Sequence, residues 1–256
     1  MAVTGTVVFD LDGVVYLGGD AVAGAGEALA AVAAQGFQIL FCTNNSSRRR
    51  AATADKIRRI SGFPARTEQV ISSATAAGNL IAGRAEQALV VGGDGIVEAL
   101  DDNSIQLAPN WRSADVVVVG VDFDFTYAKM ADAMAAVRNG AWLVATNRDA
   151  TYPTPQGLAP GAGSMVAAIE MASGGVAEAA GKPEAPMRAL ITSRLVDGPV
   201  WVVGDRPDTD VAMAVAEGWG SILALTGVTG DGRDVHPRPD HVVESIADVP
   251  ALIASV

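Results

Sequence analysis

Asp10 and Asp12, with Gly13 directly after them, follow the apolar run Thr6-Val7-Val8-Phe9. The run reads as a buried strand, and Gly13 as the turn that ends it. Two carboxylates one residue apart at a strand end repel each other, and desolvation opposes ionising either. A hydrated divalent cation relieves that cost and holds one carboxylate as a nucleophile. Taken alone, the pair also fits a solvated strand end followed by an Asp-Gly turn. Three other segments repeat its setting.

Thr43-Asn44-Asn45-Ser46-Ser47 follows the apolar run Gln38–Cys42. Its hydroxyls, amides and backbone N–H groups make a neutral phosphate cradle, helped by the N-terminus of the following helix, although helix capping uses the same residue types. Gly181-Lys182-Pro183 confines a lysine between two residues that restrict the backbone. Aimed at the strand-end carboxylates, its ammonium would neutralise them and an incoming phosphate as a point charge; alone, it is a surface lysine in a turn. Val202-Val203-Gly204-Asp205-Arg206-Pro207-Asp208-Thr209-Asp210 again ends an apolar run in carboxylates. Asp205 suits direct coordination of a hard cation, and Asp208 or Asp210 suits orienting its waters and Lys182. The bland alternative is an acidic helix start. Each segment has an ordinary explanation; four in order, each at a strand end, do not share one.

The elements that must position these groups alternate short β-rich runs with helical stretches, the pattern of an α/β fold with a doubly wound parallel sheet. Strands are predicted at 6–11, 38–43, 88–91, 115–121, 142–146, 200–203 and 221–225. Helices are predicted at 24–35, 48–60, 72–82, 95–101, 127–139, 164–173, 185–195 and 208–217. In such a sheet, functional loops gather at the carboxyl ends of the strands. The stretch from about Ile81 to Val176 reads as a self-contained β-α-β-α-β unit that exits through the Pro/Gly-rich passage Thr151–Gly161. The expected organisation is therefore a Rossmann-like core, 1–80 plus 177–256, with an α/β domain at 81–176 inserted into it.

Composition narrows the function classes. The 256 residues are half hydrophobic and 18% charged, which suits a globular chain and excludes disorder. A formal net charge of −11 leaves no basic stripe for nucleic acid or an anionic membrane surface, Arg48-Arg49-Arg50 being the only basic run. No apolar stretch approaches the ~20 residues of a membrane span. No basic segment precedes a hydrophobic one at the N-terminus, so the expected location is cytoplasmic. The single cysteine, Cys42, lies in an apolar run and reads as core packing.

The order Asp-Leu-Asp-Gly-Val, Thr-Asn-Asn-Ser-Ser, Gly-Lys-Pro and Gly-Asp-Arg-x-Asp-Thr-Asp resembles the haloacid-dehalogenase-type (HAD) phosphohydrolases. More narrowly it resembles their NagD-like, p-nitrophenylphosphatase branch (subfamily IIA), whose members carry a C2-type α/β cap. The likeness covers essentially the whole chain, including Ala145–Asp149 and Pro160–Ser164. It implies that Asp10 attacks phosphorus to form an aspartyl-phosphate, and that Asp12 protonates the leaving oxygen and then deprotonates water. It implies Mg²⁺ held by the Asp10 side chain, the Asp12 backbone carbonyl and Asp205. It further implies phosphoryl binding at Thr43 and Asn44, with Asn45 in the same loop, charge stabilisation by Lys182, and Asp210 and Asp208 behind the metal. Relatives often dimerise through the cap.

Other readings weigh less. A receiver-like phospho-acceptor or a phosphate-binding protein would use a similar acidic set, but receivers are small and lack both the insertion and an acid/base such as Asp12. A dehydrogenase lacks the three-glycine fingerprint around Gly92-Gly93-Asp94-Gly95. Ser/His/Asp chemistry lacks a nucleophile elbow near His236 or His241. A phosphomutase within the superfamily shares the core residues.

A cap over the site would choose the leaving group. Its candidates are Asn147, Arg148, Asp149, Tyr152 and the loop to Gly163, with Asp122, Asp124 and Tyr127 as a second rim or simply turn and helix caps. Arg48 could meet an anionic group, although a solvent-facing helix start fits it as well. Few aromatics lie near these positions, which favours a small polyol or carboxylate phosphate over a large stacked ligand. By resemblance the candidate substrates are glycerol phosphate, phosphoglycolate, pyridoxal phosphate, nucleoside monophosphates or a broad mixture of them.

Overall fold

The computed structural model of the chain describes residues 4–154 and 157–256. Pro155 and Gln156, within the passage expected at Thr151–Gly161, lie outside the described residues. Its largest sheet has six parallel strands in the order His241–Val243, Gly220–Ala224, Val200–Gly204, Gly5–Phe9, Phe37–Thr43 and Val70–Ser72. Gly5–Phe9 is central and fully buried, because alternate side chains must enter opposite apolar layers. Val7 and Phe9 join one layer with Leu29, Ile57 and Val249, while Val8 joins another with Ile71, Met187 and Met213. The chain runs from Gly5–Phe9 to Phe37–Thr43 on one side and returns much later to Val200–Gly204 on the other. That reversal opens a crevice at the carboxyl ends of the strands.

A second sheet, also parallel, orders Glu178–Ala179, Trp142–Ala145, Val116–Val119, Gln87–Val91 and Gln106–Leu107. The two outer strands are two residues each, too short to register in a periodicity reading. The apolar layer under Val8 continues through helices Ser73–Ile81 and Asp94–Asp102 to Val116, Val118 and Val144, so the two sheets share one packed layer.

Several expectations shift in detail. The first strand stops at Phe9, leaving Asp10 and Asp12 in the turn beyond it. Val70–Ser72 is a strand that caps directly into the next helix, Ser72 Oγ accepting from the Thr75 N–H. Thr151–Thr154 and Gly157–Pro160, within the segment expected to be an ordered loop or an interdomain passage, pair as antiparallel strands. The helix expected from Asp208 begins as a π-turn at Pro207–Val211 and becomes α-helical only at Ala212–Glu217. Cys42 is buried and unpaired, and burial pushes its thiol up to about 12.

Candidate active site

Sheet order brings the four motifs together. Asp10 leaves the central strand with its N–H bonded to the Val203 carbonyl at 2.8 Å, which ties it to the neighbouring strand that delivers Asp205. Thr43 ends the strand on the other side. Lys182 enters from the segment after Glu178–Ala179, and its ammonium lies 2.6 Å from Asp10 Oδ1 and 2.6 Å from Asp210 Oδ1. All three side chains are buried.

An ammonium between two carboxylates in a dry site is held by charge-assisted hydrogen bonds from both sides. Burial drags the Lys182 ammonium down, but Asp10 and Asp210 outweigh it and hold it well above its ordinary value. Burial raises the Asp10 carboxyl well above the usual range; Lys182 opposes this, and Asp210 and Asp205 add to it. Burial and the Asp210 charge push Asp205 up to about 6. Asp12 is also raised, chiefly by burial, against the pull of Lys56, Lys182 and Arg48. A carboxyl that keeps its proton more readily is what a general acid requires.

The donor set also fits a hard cation. Asp10, Asp205 and Asp210 each offer an oxygen within 4.8 Å of the others. Asp205 Oδ2 accepts from the Val228 N–H at 2.6 Å, whereas its buried Oδ1 has no partner among the described residues. An orphaned buried carboxylate oxygen is expensive unless something charged completes it. Two glycines make room for this carboxylate, because a Cβ at Gly13 or Gly227 would run into it; Gly13 also holds φ at +96°. Neither requirement is visible in the motif itself.

The phosphate loop is fastened more thoroughly than its composition suggests. Asn44 Nδ2 donates to the Lys182 carbonyl at 3.1 Å and to both Asp149 oxygens, and Asn44 Oδ1 accepts from the Lys182 N–H at 2.8 Å. Its amide is therefore spent on aligning Lys182, leaving no side-chain donor for a phosphoryl oxygen. Asn147 donates to the Asn44 carbonyl at 2.7 Å and accepts from the Asp149 N–H, so both residues brace the loop. Asn45 closes a local turn by accepting from the Ser47 N–H and hydroxyl. Thr43 Oγ1 accepts from the Asn45 N–H at 3.0 Å, which leaves its own proton free to point elsewhere. The helix expected to assist the phosphate starts at Arg50, and the Arg50 N–H in its first turn donates to Glu98 Oε2 at 2.8 Å.

Asp10, Asp12, Thr43, Asn44, Asn45 and Lys182 open onto one cavity of about 450 Å³. Asn147, Asp149 and Asp205 line the same cavity. Asp210 lies behind it, against Lys182. Asp208, expected to orient the metal's waters, turns outward and pairs with Arg206 across an exposed surface. The π-turn sends alternate acids of Asp208-Thr209-Asp210 in different directions, so one is buried while the other is solvated. Arg148 is also outside the cavity, bonded to Glu170 and the Ala177 carbonyl.

Arg48 does line the cavity, joined by two cations the motifs did not flag, Lys56 and Arg59. So do Tyr152, one of the cap candidates, and Phe123, which is not; the two form an edge-to-face pair with centroids 6.4 Å apart and give the cavity an aromatic wall. Helix periodicity could have placed Lys56 and Arg59 on one face with Arg48's end of the helix, but nothing local said that face meets the site.

Two family profiles match this chain. One described as haloacid dehalogenase-like hydrolase covers residues 7–106, and another described as HAD-hydrolase-like covers 179–249. A 5'-nucleotidase of Bacillus subtilis is 34% identical over 250 residues, 94% of this chain and 95% of that protein. The chain belongs to the haloacid dehalogenase-like hydrolase family. It is 38% identical over 91% of its length to the D-glycerol 3-phosphate phosphatase of Mycobacterium tuberculosis, the match spanning 66% of that protein. The glycerol phosphate phosphatase of that organism, solved in complex with magnesium, superposes with a TM-score of 0.84 at 34% identity, covering 94% of this chain and 74% of that one. With these relatives, the chain is a phosphatase of the HAD type. Among the described residues no helix is long and apolar enough to cross a membrane.

Proposed function

We propose that this HAD phosphatase hydrolyses small phosphate monoesters with Mg²⁺, through an aspartyl-phosphate on Asp10. The observation that carries the reading is the Lys182 ammonium, buried at 2.6 Å from both Asp10 and Asp210 beside an Asp205 oxygen that has no partner among the described residues. Mg²⁺ would be held by the Asp10 and Asp205 carboxylates and the Asp12 backbone carbonyl, with Asp210 behind them. Bound there, it would neutralise charge on the phosphoryl oxygens.

The rest falls to the chain's own groups. An Asp10 oxygen attacks phosphorus, the bond from phosphorus to the ester oxygen breaks, and that oxygen takes the proton of Asp12. Asp12, now a carboxylate, removes a proton from water as the water oxygen attacks the aspartyl-phosphate. The bond between phosphorus and Asp10 breaks, and inorganic phosphate leaves. The Thr43 hydroxyl, the loop amides and Lys182 hold the phosphoryl oxygens throughout. Asn44, Asn45, Asn147 and Asp149 keep that loop and Lys182 in place.

In this reading residues 1–80 and 177–256 form the catalytic core and 81–176 the cap, with Glu178–Ala179 adding its edge strand to the cap's sheet. The chain would act in the cytoplasm. A panel of phosphate monoesters, assayed with Mg²⁺ for phosphate release, tests the proposal beside Asp10→Asn. Wild type should turn over several esters and the variant none. Release by the variant at the wild-type rate would remove Asp10 as nucleophile.

A further inference from the structure

Arg48, Lys56 and Arg59 line the cavity, yet among the described residues none of the three forms an ion pair. Two other arginines on the same stretch do: Arg50 pairs with Glu98 and Asp102, and Arg58 with Asp55. Acids are not scarce, since the chain has 29 against 18 basic residues. Three cations on one cavity, with no ion-pair partner among the described residues although Asp12 lines the same cavity, are thus a local feature, opposite in sign to the molecule as a whole.

The trio is also self-repelling. Burial holds the Lys56 ammonium below its ordinary value, Asp12 opposes this, and Arg48 and Arg59 both add to the depression. An anion seated among them would relieve that repulsion, as a cation relieves clustered carboxylates. Lys56 is not a loose surface chain, because its ammonium stacks 3.4 Å above the Tyr16 ring.

Position separates this charge from the reacting phosphate. Lys182 is matched by Asp10 and Asp210, whereas Lys56 stands over Tyr16, whose backbone bridges Asp12, and of the cations that act on Asp12 it comes first, ahead of Lys182 and Arg48. Cations beside the acid lie on the side of the departing alcohol. We propose that Arg48, Lys56 and Arg59 form a subsite for a second anionic group on that alcohol. The preferred substrates are then phosphate monoesters that also carry a carboxylate or a second phosphate. The inference rests on the phosphatase reading above and names its substrate class.

The test compares kcat/KM for matched esters on the full-length chain with Mg²⁺. One arm sets 3-phosphoglycerate against glycerol 3-phosphate; the other sets propane-1,3-diol bisphosphate against propyl phosphate. Wild type should favour the anionic member of at least one arm by about tenfold, the arm identifying the anion. Lys56→Gln and Arg59→Gln should each bring that ratio most of the way to one. Ratios near one in both arms of wild type, or ratios the variants leave unchanged, would overturn the subsite. So would variants that slow both members equally while shifting the pH profile, which would mark the trio as acting on Asp12 alone. If wild type hydrolyses none of the four esters or any in the wider panel, the phosphatase reading itself fails.

Discussion

Replacing Lys182 by methionine removes the one cation between two buried carboxylates while keeping most of the side chain's volume. Asp10 and Asp210 each lose a 2.6 Å charge-assisted bond, and Asp205 lies close enough to add its own repulsion. Breaking a buried pair by deleting one partner costs about 3–5 kcal/mol, because the remaining charge stays buried. Melting temperature in a chain of this size falls by roughly 2–4 °C per kcal/mol, so the expected loss is about 6–20 °C in EDTA. Mg²⁺ bound at the same carboxylates would recover part of it, giving the variant a larger metal-induced shift than wild type. Phosphate release should fall by at least ~10²-fold, since in the proposed mechanism the lost charge faces the transferring phosphoryl group. Circular-dichroism melts with EDTA and with Mg²⁺, run beside the phosphate assay, measure all three. A melting point within 2 °C of wild type in EDTA, together with unchanged turnover, would refute the reasoning.

Three other outcomes follow from the same geometry. Asp12→Asn should cut kcat by ~10²–10⁴-fold yet keep the Mg²⁺-induced rise in melting temperature, because the contribution proposed for Asp12 to the metal is a backbone carbonyl; loss of the thermal response would show the side chain itself to be a ligand. Gly227→Ala drives a methyl into the Asp205 carboxylate and should weaken Mg²⁺ binding, read by isothermal calorimetry, far more than it lowers stability in EDTA. With its thiol pushed up to about 12, Cys42 should be about 10⁻⁴ ionised at pH 8 and stay unmodified by a thiol reagent until the protein is denatured; rapid native labelling would contradict its burial.

Much of the core was legible because its signals are local. A four-residue apolar run ending in Asp-x-Asp declares a strand and its carboxyl end without reference to anything distant, and the same holds for Thr43 and Asp205. The missed elements were those whose signal is not local. Val70–Ser72 is too short for a period to appear, and it is a strand only because Phe37–Thr43 offers it an edge. Asp208 and Asp210 look equivalent in sequence; the π-turn alone buries one against Lys182 and exposes the other to Arg206. Asn44 has the right type for a phosphate ligand, but its amide is claimed by Lys182 and Asp149, more than 100 residues away.

Asp10 and Asp12 at a strand end, a hydroxyl-rich loop after the next core strand, a lysine held between Gly and Pro and a second acidic strand end are properties of short segments. The sequence by itself therefore determined the reaction class and singled out most of the candidate groups that the fold brings to one cavity. Tertiary structure decided how those groups are paired: Lys182 between Asp10 and Asp210, Asp205 with an oxygen left over, Asn44 turned into a brace, and Arg48, Lys56 and Arg59 facing the cavity unneutralised. The physical reason is range. Strand and turn signals arise within a few residues, whereas each of these pairings depends on which strand lies beside which and on which face of a helix the second sheet leaves open.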